Sequence, residues 1–201
     1  MNLPNKLTVF RVILVIIMLI ISYIPMNNSF LNISLNMWIL NIIFIVASIT
    51  DSLDGKIARK NNLVTDFGKF LDPIADKILV LTAMLILVER DMLPAWIPII
   101  VIIREFAVSG YRLIAVQKES KVIAASWYGK VKTTAQMIAI ICAFININNT
   151  NVFGNFIHGN LTGLPLIINF ITTVAFVVAV IATIVSGIDY LKDSKELLKD
   201  M

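Results

Sequence analysis

Six apolar runs, each close to the length of helix that crosses a lipid core, divide this chain at roughly residues 7 to 24, 35 to 60, 68 to 89, 95 to 117, 130 to 147 and 165 to 190. A hydrocarbon core of about 30 Å takes about 20 residues of α-helix. The runs therefore predict an all-α, polytopic membrane protein with six transmembrane helices. Composition points the same way, because 58% hydrophobic residues, 15% charged residues and a mean hydropathy of +0.87 are too apolar for an ordinary soluble domain. Charged residues interrupt the second run at its end and the third at its start, and those interruptions carry the chemistry. The first run is expected to stay in the mature protein, since Pro25, Met26 and Asn27 follow it without a small-residue cleavage site.

The basic residues set the orientation. Of 17 Lys and Arg, Arg90 falls between runs three and four and Arg104 lies inside run four; the other 15 gather at the N-terminus, the two-to-three turn, the four-to-five turn and the C-terminus. With six spans these four places lie on one side, which predicts cytoplasmic termini by the positive-inside rule. The basic balance is thus topological, and no nucleic-acid-binding motif accompanies it. With no repeat, low-complexity tract or flexible linker, residues 1–201 read as one domain. The Asn-, Gly- and Thr-rich stretch from Asn146 to Gly163 reads as an external loop, and His158 within it as a lone histidine without a role. Ala135, Ala139 and Ala143, at four-residue spacing, let the fifth helix approach a neighbour closely. The single cysteine, Cys142, lies in an apolar run and reads as a core residue.

The decisive stretch is DSLDGKIARKNNLVTDFGKFLDPIAD, Asp51 to Asp76. At 100° per residue Asp51, Asp54, Gly55 and Ala58 fall within an arc of about 100° on one helix, and Gly68, Asp72 and Asp76 within about 80° on the next. Two antiparallel helices can then present four carboxylates to one space. Counted from Leu35, Asp51 lies about 24 Å along its helix, near the depth of a lipid headgroup. Four neighbouring carboxylates cannot all stay ionised without cations. Oxygen-only ligands favour a hard ion, Mg²⁺ or Mn²⁺, and two such ions bridged by Asp51 and Asp72 would clamp a diphosphate. Gly55, Gly68 and Ala58 leave room for a close approach, and Arg59 offers phosphate a planar, permanently charged donor. The competing reading, acids that merely cap helices or pair with Lys56, Lys69 and Lys77, is disfavoured because acids at membrane depth are expensive.

At all eight fixed positions this stretch resembles the signature of the CDP-alcohol phosphotransferase family, D-x2-D-G-x2-A-R-x8-G-x3-D-x3-D. The N-terminal NLPNKLTVFRV, the segment IIREFAVSGYRL and SWYGKVKT look like the bacterial branch that makes phosphatidylglycerophosphate, so the likeness covers nearly the whole chain. The resemblance implies that Asp51, Asp54, Asp72 and Asp76 are ligands of two divalent cations and that Asp76 doubles as general base. It implies that Gly55, Arg59 and Thr65 contact the CDP part, and that Asn5 and Thr8 close over the nucleotide. It implies a cytoplasm-facing site in the cell membrane and a homodimer. The expected reaction is attack of sn-glycerol 3-phosphate on CDP-diacylglycerol, releasing CMP.

Arg104 and Glu105 interrupt an apolar run and need partners, either as a structural ion pair or at a substrate. Arg104, Arg112, Lys130 and Lys132 are expected around the phosphate of an anionic acceptor. The signature reads the CDP-lipid and not the alcohol, so inositol phosphate and phosphatidylglycerol are alternative acceptors. More distant readings are a membrane prenyltransferase, whose acids would take other spacings, and an ion transporter lined by intramembrane acids.

Overall fold

The computed structural model describes residues 2–60, 66–119, 127–146, 151–153 and 161–198. Among these the chain is helical apart from one small hairpin. Helix α1 runs Leu3–Ser22. After it come the two-residue strands β1, Ser29–Phe30, and β2, Ile33–Ser34. Then follow α2, Leu35–Lys60, α3, Asp66–Glu89, α4, Trp96–Glu119, α5, Trp127–Phe144, and α6, Leu164–Leu198. Two of these contain a stretch long and apolar enough to cross a membrane by length and composition, Pro4–Ser22 and Leu164–Asp189, which fits a membrane protein. The helices between them fail the same test where they carry charge. Ile20, Ile103 and Phe106 face outward, Phe106 at 73% exposure, and apolar surface of this kind suits lipid better than water.

The helix ends have local causes. Pro4 lies in the first turn of α1, where its missing N–H and fixed φ cost nothing, so the helix starts earlier than its apolar run at residue 7. Helix α6 outlasts the apolar run that ends near 190 and continues through a charged stretch to Leu198. Helix α3 ends in a Schellman turn: Asp91 takes φ 56°, the Met92 N–H reaches the Leu87 carbonyl at 3.0 Å, and the Asp91 N–H reaches Val88 at 3.0 Å. Leu31 and Asn32 form the hairpin turn, both with positive φ as a two-residue loop of this hand requires, and Ser29 and Phe30 pair with Ser34 and Ile33.

Helix α5 packs most extensively on α6, α1 lies against both α2 and α3, α4 rests on α6, and α3 and α4 touch only lightly. The core joins Met18, Phe44, Leu79, Met84, Phe144 and Phe176, with the Phe44 and Phe144 rings tilted 6.3 Å apart. Ala139 and Ala143 are fully buried and Ala135 half-buried. One end of the bundle is tied by polar contacts. Arg90 donates to the Ser22 carbonyl at 3.0 Å and to Asn36 Oδ1 at 2.6 Å, and Asn36 in turn donates to Ile21 O at 2.6 Å. At that same end the Val152 N–H reaches Met92 O, and Thr173 donates to Val152 O. The carboxylates lie at the opposite end.

Candidate active site

Helix register brings the signature acids to the N-terminal turns of α1. Asp51, on α2, is ion-paired with Arg11 of α1, Nη1 to Oδ1 at 2.9 Å; the Arg11 side chain is completely buried and that of Asp51 is 32% exposed. Asp72, on α3, accepts a 2.5 Å hydrogen bond from the Thr8 hydroxyl. That hydroxyl also lies 3.2 Å from the Pro4 carbonyl, but it has a single proton and Asp72 is nearer. One turn further along α3, Asp76 buries its Oδ1, which has no hydrogen-bond partner among the described residues. Asp72 and Asp76 both act electrostatically on Asp51, and Asp76 senses Arg11, Lys132, Glu105 and Lys77. Gly68 is buried one turn before Asp72, and Asn5 is buried one turn before Thr8.

A second cluster lies beside the first. Glu105 on α4 is ion-paired with Lys132 of α5, with its neighbour Arg104 at 3.1 Å and, more loosely, with Lys77 of α3 at 3.8 Å. Lys77 also donates to Ser109, and Arg104 reaches across to Ser186 of α6 at 2.5 Å. Three cations on one carboxylate leave a net positive charge at the meeting of α3, α4 and α5. A cavity of about 20 Å³ for the centres of water-sized groups joins the two clusters, and Asp76, Lys77, Glu105, Lys132 and Gln136 are among its walls. A wider cleft of about 370 Å³ opens between α3 and α4, mostly apolar, and shares Lys77, Leu81 and Glu105 with it.

The profile of the CDP-alcohol phosphatidyltransferase family matches residues 1–185. The chain belongs to this family. A CDP-diacylglycerol–glycerol-3-phosphate 3-phosphatidyltransferase of Bacillus subtilis is 42% identical over 203 residues, covering 98% of this chain and 97% of the relative. Proteins of the same name are 44% identical over 143 residues in Haemophilus influenzae, 69% of this chain and 73% of the relative, and 34% identical over 196 residues in Rickettsia felis, 97% and 96%.

In this member of the CDP-alcohol phosphatidyltransferase family, the structure brings together Asp51, Asp72 and Asp76 with Thr8, and places Lys132 next to them. Lys130 is exposed two residues from Lys132 and so on a different face, and Arg104 is turned to Glu105 and Ser186. The side chains of Asp54, Ala58, Arg59 and Arg112, the surroundings of Gly55, and the whole of Thr65 and His158 lie outside the described residues. Among the described residues no three His, Cys, Asp or Glu side chains gather in a metal-holding group. Arg11 and Thr8 contact Asp51 and Asp72 in this arrangement.

Sequence reading missed Arg11, Lys77 and Gln136 as site residues. In the sequence Arg11 is one of the basic residues gathered at the N-terminus, which set the expected topology. Its signal was available, since a guanidinium inside an apolar run needs a partner for the same reason that Arg104 does.

Proposed function

We propose that this chain transfers the phosphatidyl group of CDP-diacylglycerol to sn-glycerol 3-phosphate, forming phosphatidylglycerophosphate and CMP, at the carboxylate face where α1, α2 and α3 meet. The observation that carries this is the convergence of Asp51, Asp72 and Asp76, in the family's register, at one end of apolar helices. The relatives' names supply the acceptor. The residual positive charge around Glu105 suits a dianionic acceptor phosphate.

The acids fit divalent cations. All donors are oxygen, Asp76 Oδ1 is buried and lacks a partner among the described residues, and Asp54 lies three residues from Asp51 on the same helix. Asp51, Asp54, Asp72 and Asp76 would hold two, Mg²⁺ or Mn²⁺, which when bound supply positive charge for the diphosphate. Arg11 orients the Asp51 carboxylate and Thr8 that of Asp72, while Asn5, Gly55, Ala58, Arg59, Thr65 and Gly68 border the CDP part. Lys132 attracts the acceptor phosphate, and in this reading Lys130, Arg104 and Arg112 add positive charge around it rather than direct contacts. Asp76 takes the proton from the acceptor's 1-hydroxyl as its oxygen bonds to the lipid-side phosphorus and the bond from that phosphorus to the CMP oxygen breaks. An acceptor held at near-attack distance supplies much of the remaining rate. An amphiphilic donor needs polar and apolar surfaces side by side, and the cavity and the cleft that share Lys77 and Glu105 supply them.

In this reading residues 1–201 are one membrane domain with six spans. Both termini and the site face the cytoplasm, and the protein is a homodimer in the cell membrane. The test is CMP release by pure protein in detergent, with CDP-diacylglycerol, Mg²⁺ or Mn²⁺, and glycerol 3-phosphate, inositol phosphate or phosphatidylglycerol in parallel. Release that depends on glycerol 3-phosphate is expected, and equal or greater release with another acceptor overturns the assignment.

A further inference from the structure

Gln136 has no part in the chemistry above, yet it stands in the wall of the site. It is 2% exposed, and its Nε2 is buried without a hydrogen-bond partner among the described residues. A buried amide left in that state is costly, and most native ones find a partner. Gln136 lines the same cavity as Asp76, whose Oδ1 is also buried without a partner, and as Lys132. Two unsatisfied polar groups thus border a space of about 20 Å³, where about 10 to 15 Å³ is enough for one water or hydroxyl.

We infer that Gln136 forms a hydroxyl subsite that selects a polyol phosphate acceptor. The inference rests on the reading of this face as the acceptor site. Lys132 and Gln136 are four residues apart, on one face of α5 and separated by about 6 Å of helix rise. With the acceptor phosphate at Lys132 and the 1-hydroxyl at Asp76, the middle carbon of glycerol 3-phosphate lies between them, and its hydroxyl meets the amide. The ligand class follows from the chemistry. The amide is neutral, so it has no call on a second phosphate, and a hydroxyl both donates and accepts, so it satisfies whichever amide atom faces the cavity.

The experiment compares glycerol 3-phosphate with 3-hydroxypropyl phosphate, which keeps the phosphate and the reacting hydroxyl and lacks only the middle one. The wild type should favour glycerol 3-phosphate in kcat/KM by about 3- to 10-fold, the worth of one neutral hydrogen bond. Gln136→Met should bring the two acceptors within about twofold, chiefly through KM for glycerol 3-phosphate, and leave KM for CDP-diacylglycerol unchanged. Gln136→Leu, a second shape, should do the same, and neither should lower the thermal midpoint without acceptor, because each removes an unsatisfied buried group. If the variants keep the wild-type preference, or the wild type shows none, the subsite is wrong and the cavity holds a water only. A wild type that turns over neither phosphate would instead overturn the assignment of the acceptor.

Discussion

At the scale of single residues, the chemistry depends on a few oxygens. Asp76→Asn keeps the shape of the side chain but removes a base, so it should lower CMP release by about 10²- to 10⁴-fold while CDP-diacylglycerol still binds. Measuring turnover and lipid binding on the same preparation checks this, and near-normal release at any pH refutes it. Arg11→Met should lower the thermal midpoint in detergent by the equivalent of about 1 to 3 kcal/mol. This is less than a fully buried pair would lose, because Asp51 is 32% exposed and water can take over part of its solvation. Asp51, Asp72 and Asp76 were legible in the sequence because helix period alone puts them on facing arcs. For Arg11 the sequence signals the need of a partner but not which one, since its meeting with Asp51, 40 positions away, is a fact of packing. Gln136 was hidden for another reason, as one amide in an apolar helix carries no periodic signal.

Helices are the next scale, and here the sequence was most readable. Helix α2 spans Leu35–Lys60, the limits expected from its apolar run. The ends of α1 and α6 were harder to read, because hydropathy follows lipid contact and a helix can extend past it. By composition the middle helices do not pass as spans, and much of the charge they carry lies at the candidate site: Asp51, Asp72, Asp76, Lys77, Arg104, Glu105 and Lys132. Close packing of α5 is a feature that mutation can test. Ala139 is fully buried, so Ala139→Leu should overpack its surroundings and cost about 1 to 3 kcal/mol, whereas Ala135→Leu, at a half-buried position, should be milder. Comparing the two unfolding midpoints reads the difference directly; equal losses would mean that α5 does not pack in this way.

At the scale of the whole molecule the family was legible through its signature, which runs across two helices, while the number of spans and the pairing of chains stay with the proposal. Orientation in the membrane is open to a direct measurement. A cysteine placed between residues 147 and 150 of a Cys142→Ala protein should react with an impermeant thiol reagent added to intact cells, and labelling only after lysis would reverse the topology. The clamp at the far end has a mechanical consequence. Arg90 joins the ends of α1, α2 and α3, and Asp76 lies 14 residues back along α3, about 21 Å away. Over such a lever arm a tilt of about 3° displaces the carboxylate by about 1 Å, and an error of that size can cost on the order of 10²-fold in rate. Arg90→Met, made at the end of the bundle away from the carboxylates, should therefore lower kcat as well as stability, so that alignment of the reacting groups at one end would depend on a joint at the other.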